Sequence, residues 1–180
     1  MKAMVTYGSK YGSTKQYAEL FSELTGLPAL PYNEVKSITG YDRVIHFGAL
    51  YDGGVMGLRQ IVPLLSEQTE LIIVTVGLAD VRDTENTDNI RKSICSRMPE
   101  KVLRRTRIFH LRGAIDYKKL DFKHRTMMAL LYAKAKNLPE EKKNAETRAM
   151  LETYGNQVSF VDGAALRQLA NEIFPERKQM

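Results

Sequence analysis

Four short apolar runs, each followed by a stretch with helical spacing, constrain this chain more than any other feature. Lys2 to Tyr7 carries Met4 and Val5, Arg43 to Ala49 reads RVIHFGA, Leu71 to Gly77 reads LIIVTVG, and Arg107 to Gly113 reads RIFHLRG. The two middle runs are almost continuously apolar, as strands are when helices cover both faces of their sheet. Strands that alternate with helices fold as βαβ units around a parallel sheet. A fifth, weaker strand is expected at Ala29 to Tyr32, where Pro28 and Pro31 suit an edge rather than a centre.

The helices are punctuated clearly. Tyr17, Phe21 and Leu24 share a face in a stretch expected to open on a Ser13 or Thr14 cap and to stop at Gly26, with Pro28 beyond. Leu58, Ile61, Val62 and Leu65 mark a second helix, and Ile90 and Ile94 a third. Leu166, Leu169 and Ile173 mark a last one, entered at Asp162. A chain of 180 residues, 43% of them hydrophobic, supplies one good core, so a single domain over 1–180 is expected. The pattern predicts an α/β three-layer sandwich with a five-stranded parallel sheet in the flavodoxin-like order, the Rossmann dinucleotide fold being its competitor.

One stretch exceeds a minimal α/β unit. Between Gly113 and Asp162 lies a helical, basic insertion, assigned to 114–157, in the region of the last strand, which Val158 to Val161 is expected to resume. Within it Leu120, His124, Met127, Met128, Leu131, Ala135 and Leu138 fall on one helical stripe. The net charge is +6, yet Lys101 to Lys143 alone carries 13 basic and 4 acidic residues, so the rest of the chain is slightly acidic. Anionic lipid headgroups, an acidic small molecule or nucleic acid would each be drawn to such a segment, as would plain solvent to a charged helix face. No nucleic-acid recognition motif accompanies it, and no nucleic-acid partner is expected.

Other classes recede. The single cysteine, Cys95, excludes an internal disulfide, and is expected to pack within its helix; no Cys/His cluster has metal-site spacing. His46 and His110 fall inside expected strands and His124 on the insertion helix, which reads as packing rather than a ligand set. No signal-like apolar core follows Met1-Lys2, and no run reaches the roughly 20 residues that span a bilayer. A soluble, cytoplasmic protein is the expectation, with room for contact at the inner face of a membrane.

The segment with most chemistry is Tyr7-Gly8-Ser9-Lys10-Tyr11-Gly12-Ser13-Thr14, between the first strand and the first helix. Small and hydroxylated residues there leave backbone N–H groups and hydroxyls aimed into one concavity, beside the positive end of a helix. A phosphate suits it; an ordinary capped turn is the plainer alternative. Gly8 and Gly12 are misplaced for both Gly-x-Gly-x-x-Gly and the ATP-type P-loop.

These residues resemble a known family. Ser9-x-Tyr11-Gly12-Ser13-Thr14 is similar to the flavodoxin phosphate signature, and Gly113-Ala114-Ile115-Asp116-Tyr117-Lys118-Lys119-Leu120, with the chain length, resembles the branch that contains the menaquinone-dependent protoporphyrinogen oxidases. The resemblance implies FMN as cofactor, with the phosphate on Ser9, Lys10, Tyr11, Gly12, Ser13 and Thr14. In the doubly wound geometry the flavin ring meets the loops after the third and fourth strands. Ala49, Leu50, Tyr51, Asp52, Gly53 and Gly54 form the first, with Tyr51 as the stacking ring and Asp52 as either a tuning charge or a turn residue. Val76, Gly77, Leu78 and Asp80 form the second. By the resemblance Gly113, Ala114 and Tyr117 wall the pocket.

No residue reads as a dedicated acid or base; FMN would carry the redox chemistry. The expected function is an FMN-dependent oxidoreductase of the protoporphyrinogen oxidase or quinone-linked type, with a quinone, a porphyrin or a redox protein as partner and peripheral membrane contact through the insertion. An electron carrier between proteins, or a flavodoxin-fold binding domain without redox activity, are the alternatives.

Overall fold

The computed structural model describes residues 1–51 and 53–175. Its sheet is built from β1 (Ala3–Gly8), β2 (Ala29–Pro31), β3 (Arg43–Tyr51), a two-residue β4 (Gly54–Val55), β5 (Glu70–Gly77) and β6 (Thr106–Arg112). The five longer-range partners lie parallel in the order β2-β1-β3-β5-β6, and β4 folds back antiparallel on β3. This is the flavodoxin-like order expected from the strand–helix alternation, with the chain reversing direction across the sheet between β1 and β3. Proline-bounded β2 takes the edge, where a missing N–H costs no ladder bond.

The near-continuous apolar strands bury both faces because successive side chains alternate. Ile45, Phe47, Ile72 and Val74 pack under α1 (Ser13–Thr25) and α7 (Gly163–Ile173) through Phe21, Leu166 and Ile173. Val44, Leu71 and Ile73 face the other way, onto α2 (Leu58–Ile61) and α3 (Thr84–Cys95), through Ile61 and Ile94. The second expected helix is shorter than its apolar spacing suggests, because Pro63 tightens the chain into a single turn over Val62–Leu64. A short α4 (Glu100–Leu103) leads into β6.

Two buried side chains fasten this frame. Tyr17 of α1 is fully buried; its hydroxyl donates to the Arg112 carbonyl at 2.8 Å and accepts from the Asp162 N–H at 2.8 Å. One oxygen thus joins the first helix, the end of β6 and the entry to α7, and burial pushes its phenol pKa up. His46 of β3 lies between Thr6 Oγ1 and the Met56 carbonyl, each 2.9 Å away. The carbonyl must accept, so Nε2 carries the hydrogen and Nδ1 accepts from the threonine hydroxyl. Burial holds the imidazole neutral, its pKa pushed down to about 4.

The insertion departs from the expected arrangement. β6 ends where β5 ends, with Gly77 opposite Arg112. Beyond that point the chain has no parallel neighbour, and β7 (Ala114–Asp116) pairs instead with β8 (Gln157–Ser159) running antiparallel. The segment expected to resume the last strand is therefore the return arm of a separate two-stranded stem. Between its arms sit α5 (Phe122–Ala135) and α6 (Ala145–Thr153). Leu120, Ala135 and Ala149 are buried, while Tyr154 stacks on Tyr132 at 4.0 Å and meets Tyr117 edge-on at 5.2 Å. Of the expected stripe, Leu120 and Ala135 are covered, whereas Met127 and Leu131 stay more than 40% exposed.

His46 sets a testable pH dependence. Its folded pKa lies below the ordinary 6.5, so the unfolded chain binds the extra proton and stability falls as pH drops from 6.5 towards 4. The loss is on the order of 3 kcal/mol at the low end. Urea unfolding midpoints measured at pH 7 and 4.5 should show it, and H46Q should flatten the dependence by close to one proton. An equally steep profile in H46Q would place the sensitivity elsewhere.

Candidate functional site

β1 ends at Gly8 and α1 begins at Ser13, so four residues make the intervening turn. The cap is not Ser13 or Thr14, as expected from their hydroxyls, but Gly12, which sits at φ 101°. That left-handed backbone suits glycine, and the helix starts one residue earlier than a hydroxyl cap would allow. Ser9 braces the turn by accepting the Gly12 N–H at 3.1 Å, and the Gly12 carbonyl accepts from Gln16 N at 2.9 Å. No side chain caps the first turn of α1. Its leading N–H groups and positive dipole end therefore serve the space in front of them, lined by Lys10, Tyr11, Ser13 and Thr14.

That space is the end of a cavity of about 800 Å³ at the carboxyl edge of the sheet. Ala49, Leu50, Tyr51, Gly53 and Gly54 line it from the β3–β4 hairpin, and Val76, Gly77 and Leu78 from the end of β5. Gly113 and Ala114 continue the wall, so the three chain regions read separately in the sequence meet at one place. Gly113 is needed there for its lack of a side chain: a Cβ would come within 2.8 Å of Val76 Cγ1 and 2.9 Å of Ser13 Oγ. Arg112 secures the β5 loop by donating to the Leu78 carbonyl at 3.0 Å while its guanidinium lies 3.6 Å from the Phe160 ring centre.

Four expected site residues do not line the cavity. Ser9 and Gly12 shape the turn behind it. Asp80 turns to Arg82, whose Nη2 lies 2.6 Å from its carboxylate, and these side-chain hydrogen bonds pull the Asp80 pKa down to about 2. Tyr117 is buried in the insertion's own small core against Tyr154, because the stem carries it away from the sheet edge. Asp52 lies outside the described residues. Cys95, expected to pack in its helix, is exposed at the end of α3.

Asn86, Ile90 and Ser93 of α3, which single-helix reasoning passed over, line the cavity together with Met127, Met128 and Met150 of the insertion. His110 of β6 holds Thr75 Oγ1 at 2.7 Å through Nδ1, while its Nε2 is buried with no hydrogen-bond partner among the described residues. Burial, then the charge of Arg91, keeps His110 neutral with its pKa lowered to about 4.

At the mouth, His124 hydrogen-bonds the Tyr51 hydroxyl through Nε2 and approaches Asp121 Oδ2 at 2.7 Å through Nδ1. Tyr11 meets the same imidazole edge-on, ring centres 6.0 Å apart, and Lys10 Nζ lies 4.0 Å from Asp121. Tyr51, expected only as a stacking ring, thus has its hydroxyl engaged. Nothing in the sequence pairs His124 with Tyr51, 73 residues away. Among the described residues there is no cluster of potential metal ligands, and no helix is long and apolar enough to cross a membrane.

The family described as "Flavodoxin domain" matches residues 4–142. No curated protein sequence matches the chain. Among solved structures, it is similar to a putative flavoprotein from Bacteroides uniformis, at 11% identity and a TM-score of 0.47 over 62% of this chain and 90% of that one. A flavodoxin from the domain Archaea aligns at 14% identity and a TM-score of 0.40, covering 63% and 85%. A Fusobacterium nucleatum flavodoxin mutant bound to flavin mononucleotide aligns at 11% and 0.42, covering 67% and 73%.

The close approach at Gly113 gives a direct check. G113A should destabilise the fold by roughly 1–3 kcal/mol through crowding of Val76 and Ser13. Thermal unfolding will measure it; an unchanged midpoint would mean that the wall yields without cost.

Proposed function

The chain belongs to the flavodoxin domain family, and from that premise and the cavity's geometry we propose that it is an FMN-binding oxidoreductase acting on a large, flat, apolar substrate. The observation that carries the reading is the uncapped start of α1, with Gly12 in the left-handed region and Ser13 and Thr14 lining the cavity. Phosphate oxygens suit those donors. The lone Nε2 of His110 and the backbone of Val76 to Leu78 offer polar partners further along, suited to the edge of a heterocycle. The residues present therefore fit FMN, which when bound supplies hydride and single-electron chemistry.

The substrate class rests on the insertion. Met127, Met128 and Met150 give the cavity a polarizable apolar lining, as adaptable surfaces for flat molecules have. Lys123 stands in the same lining and suits a carboxylate of a porphyrin or the carbonyl of a quinone. On the outside of α5, Phe122 is 85% and Leu130 69% exposed, interleaved with Arg125 and Lys134. An apolar surface ringed with cations matches an anionic membrane, from which such a substrate would come. Protoporphyrinogen oxidase-like or quinone-linked chemistry is thus the favoured activity. An electron carrier for protein partners would have no use for the methionine wall, which is what separates the two readings.

Fluorescence-quenching titration tests the cofactor. FMN should bind more tightly than riboflavin, and the double variant S13A/T14A should weaken FMN by roughly 10- to 100-fold through loss of hydrogen bonds to a charged group, with riboflavin little changed. Equal affinities for the two flavins would remove the phosphate cradle from the proposal. Co-sedimentation with phosphatidylglycerol vesicles tests the surface: F122S/L130S should lose most of its association while FMN affinity stays within about threefold. Undiminished association would mean that the face of α5 does not meet lipid.

A further inference from the structure

The hydrogen-bonded chain at the cavity mouth has no part in the cradle or in the apolar wall, and its chemistry goes beyond holding a flavin. We propose that Tyr51, His124 and Asp121 form the proton relay of this cavity, with Tyr51 Oη exchanging a proton with an oxygen or nitrogen of the substrate and His124 Nε2 holding that proton. The proposal rests on the oxidoreductase reading for the electrons, and on the geometry alone for the proton.

The order of hydrogens along the chain is fixed from its solvent end. Asp121 is held twice by one residue: Oδ1 accepts the His124 backbone N–H at 2.8 Å, capping α5, and Oδ2 lies 2.7 Å from His124 Nδ1. These bonds, with Lys10 at 4.0 Å, hold the Asp121 carboxyl below the usual range. A carboxylate only accepts, so Nδ1 carries a hydrogen, and in the Nδ1–H tautomer that this bond selects the lone pair lies at Nε2. Tyr51 must then donate to Nε2, which leaves its oxygen lone pairs for whatever lies in the cavity.

A proton transfer follows in which every bond is accounted for. The substrate's X–H bond breaks as a new O–H forms on Tyr51; the original Tyr51 O–H breaks as Nε2–H forms. The imidazolium is balanced by the adjacent carboxylate, the same logic by which a buried Asp supports a catalytic His. Only a proton moves here: the pair of the X–H bond stays on X, and the two electrons that leave an oxidised substrate would pass to the oxidised flavin of the proposed function, which would supply them again in the reverse direction. Run backwards, the imidazolium returns its proton through Tyr51 to a carbonyl oxygen being reduced.

Position supports the role. Tyr51 and His124 both line the cavity, whereas the Asp121 side chain is 50% exposed, so the chain runs from cavity to water. The charged and titratable groups in contact with it are Lys10 and Tyr11 from the β1–α1 turn. Three segments distant in sequence converge on one imidazole, although Asp121 needs no histidine to cap a helix.

Two measurements test this. In the protein without flavin, long-range proton–nitrogen correlation spectra should show His124 as the Nδ1–H tautomer, and D121N, which keeps the cap, should abolish that preference. With FMN bound, stopped-flow mixing of dithionite-reduced protein with a soluble naphthoquinone reads the transfer. Y51F and H124A should each slow quinone reduction by about 100-fold with FMN affinity changed less than threefold, and added imidazole should restore H124A but not Y51F. Rates within threefold of the parent, or an Nε2–H tautomer, would overturn the relay. Failure of the parent protein to bind FMN would sink the oxidoreductase reading instead, leaving the tautomer to decide whether the relay is assembled.

Discussion

One phenol holds this structure at its most demanding junction. Tyr17 sends its hydroxyl hydrogen to the last residue of β6 and receives the N–H that opens α7, so the helix behind the β1–α1 turn, the end of the sheet and the return from the insertion meet on one oxygen. Buried N–H and C=O groups must be paired, and here a side chain does what a continued strand would otherwise do. Because α1 is anchored from behind, its free N-terminal turn keeps its aim at the cavity. The same anchoring lets the chain leave the sheet for a long excursion and come back to a defined point.

How much of this was legible depended on how local the cause is. The strands announced themselves because a strand covered on both faces has little choice but Val, Ile, Leu and Phe, and β3 and β5 read that way from end to end. Proline placed β2 at the edge, and Asp162 marked the start of α7, where its carboxylate accepts from Ala164 and Ala165. Two wrong expectations share an origin. Ser13 and Thr14 looked like caps because hydroxyls usually are, yet Gly12 took the position; Val158 to Val161 looked like a resumed strand because strand propensity says nothing about its partner or direction.

The site was half legible for a related reason. A doubly wound sheet brings the ends of its strands together whatever the loops contain, so the residues after β1, β3 and β5 could be assigned to one cavity from their order alone. The contributions of α3 and of the insertion could not. Asn86 and Ser93 are what any solvent-facing helix might carry, and the methionines of α5 fit a core as well as a wall. His124 was taken for packing; only the fold sets it against Tyr51, and only that contact turns a helix cap into part of a hydrogen-bonded chain.

The two-stranded stem has an evolutionary consequence. Gly113 and Phe160 are joined by a backbone hydrogen bond of 3.0 Å, so the excursion starts and finishes at almost the same point in space. Lengthening a loop whose ends are already pinned together adds little closure entropy, and the sheet registers none of it. The segment between the arms is in that sense a cassette: its helices can be traded, shortened or resurfaced while the parent scaffold keeps its shape. Natural variation within such a lineage would then accumulate inside the stem, letting one inherited cradle be fitted to different clients.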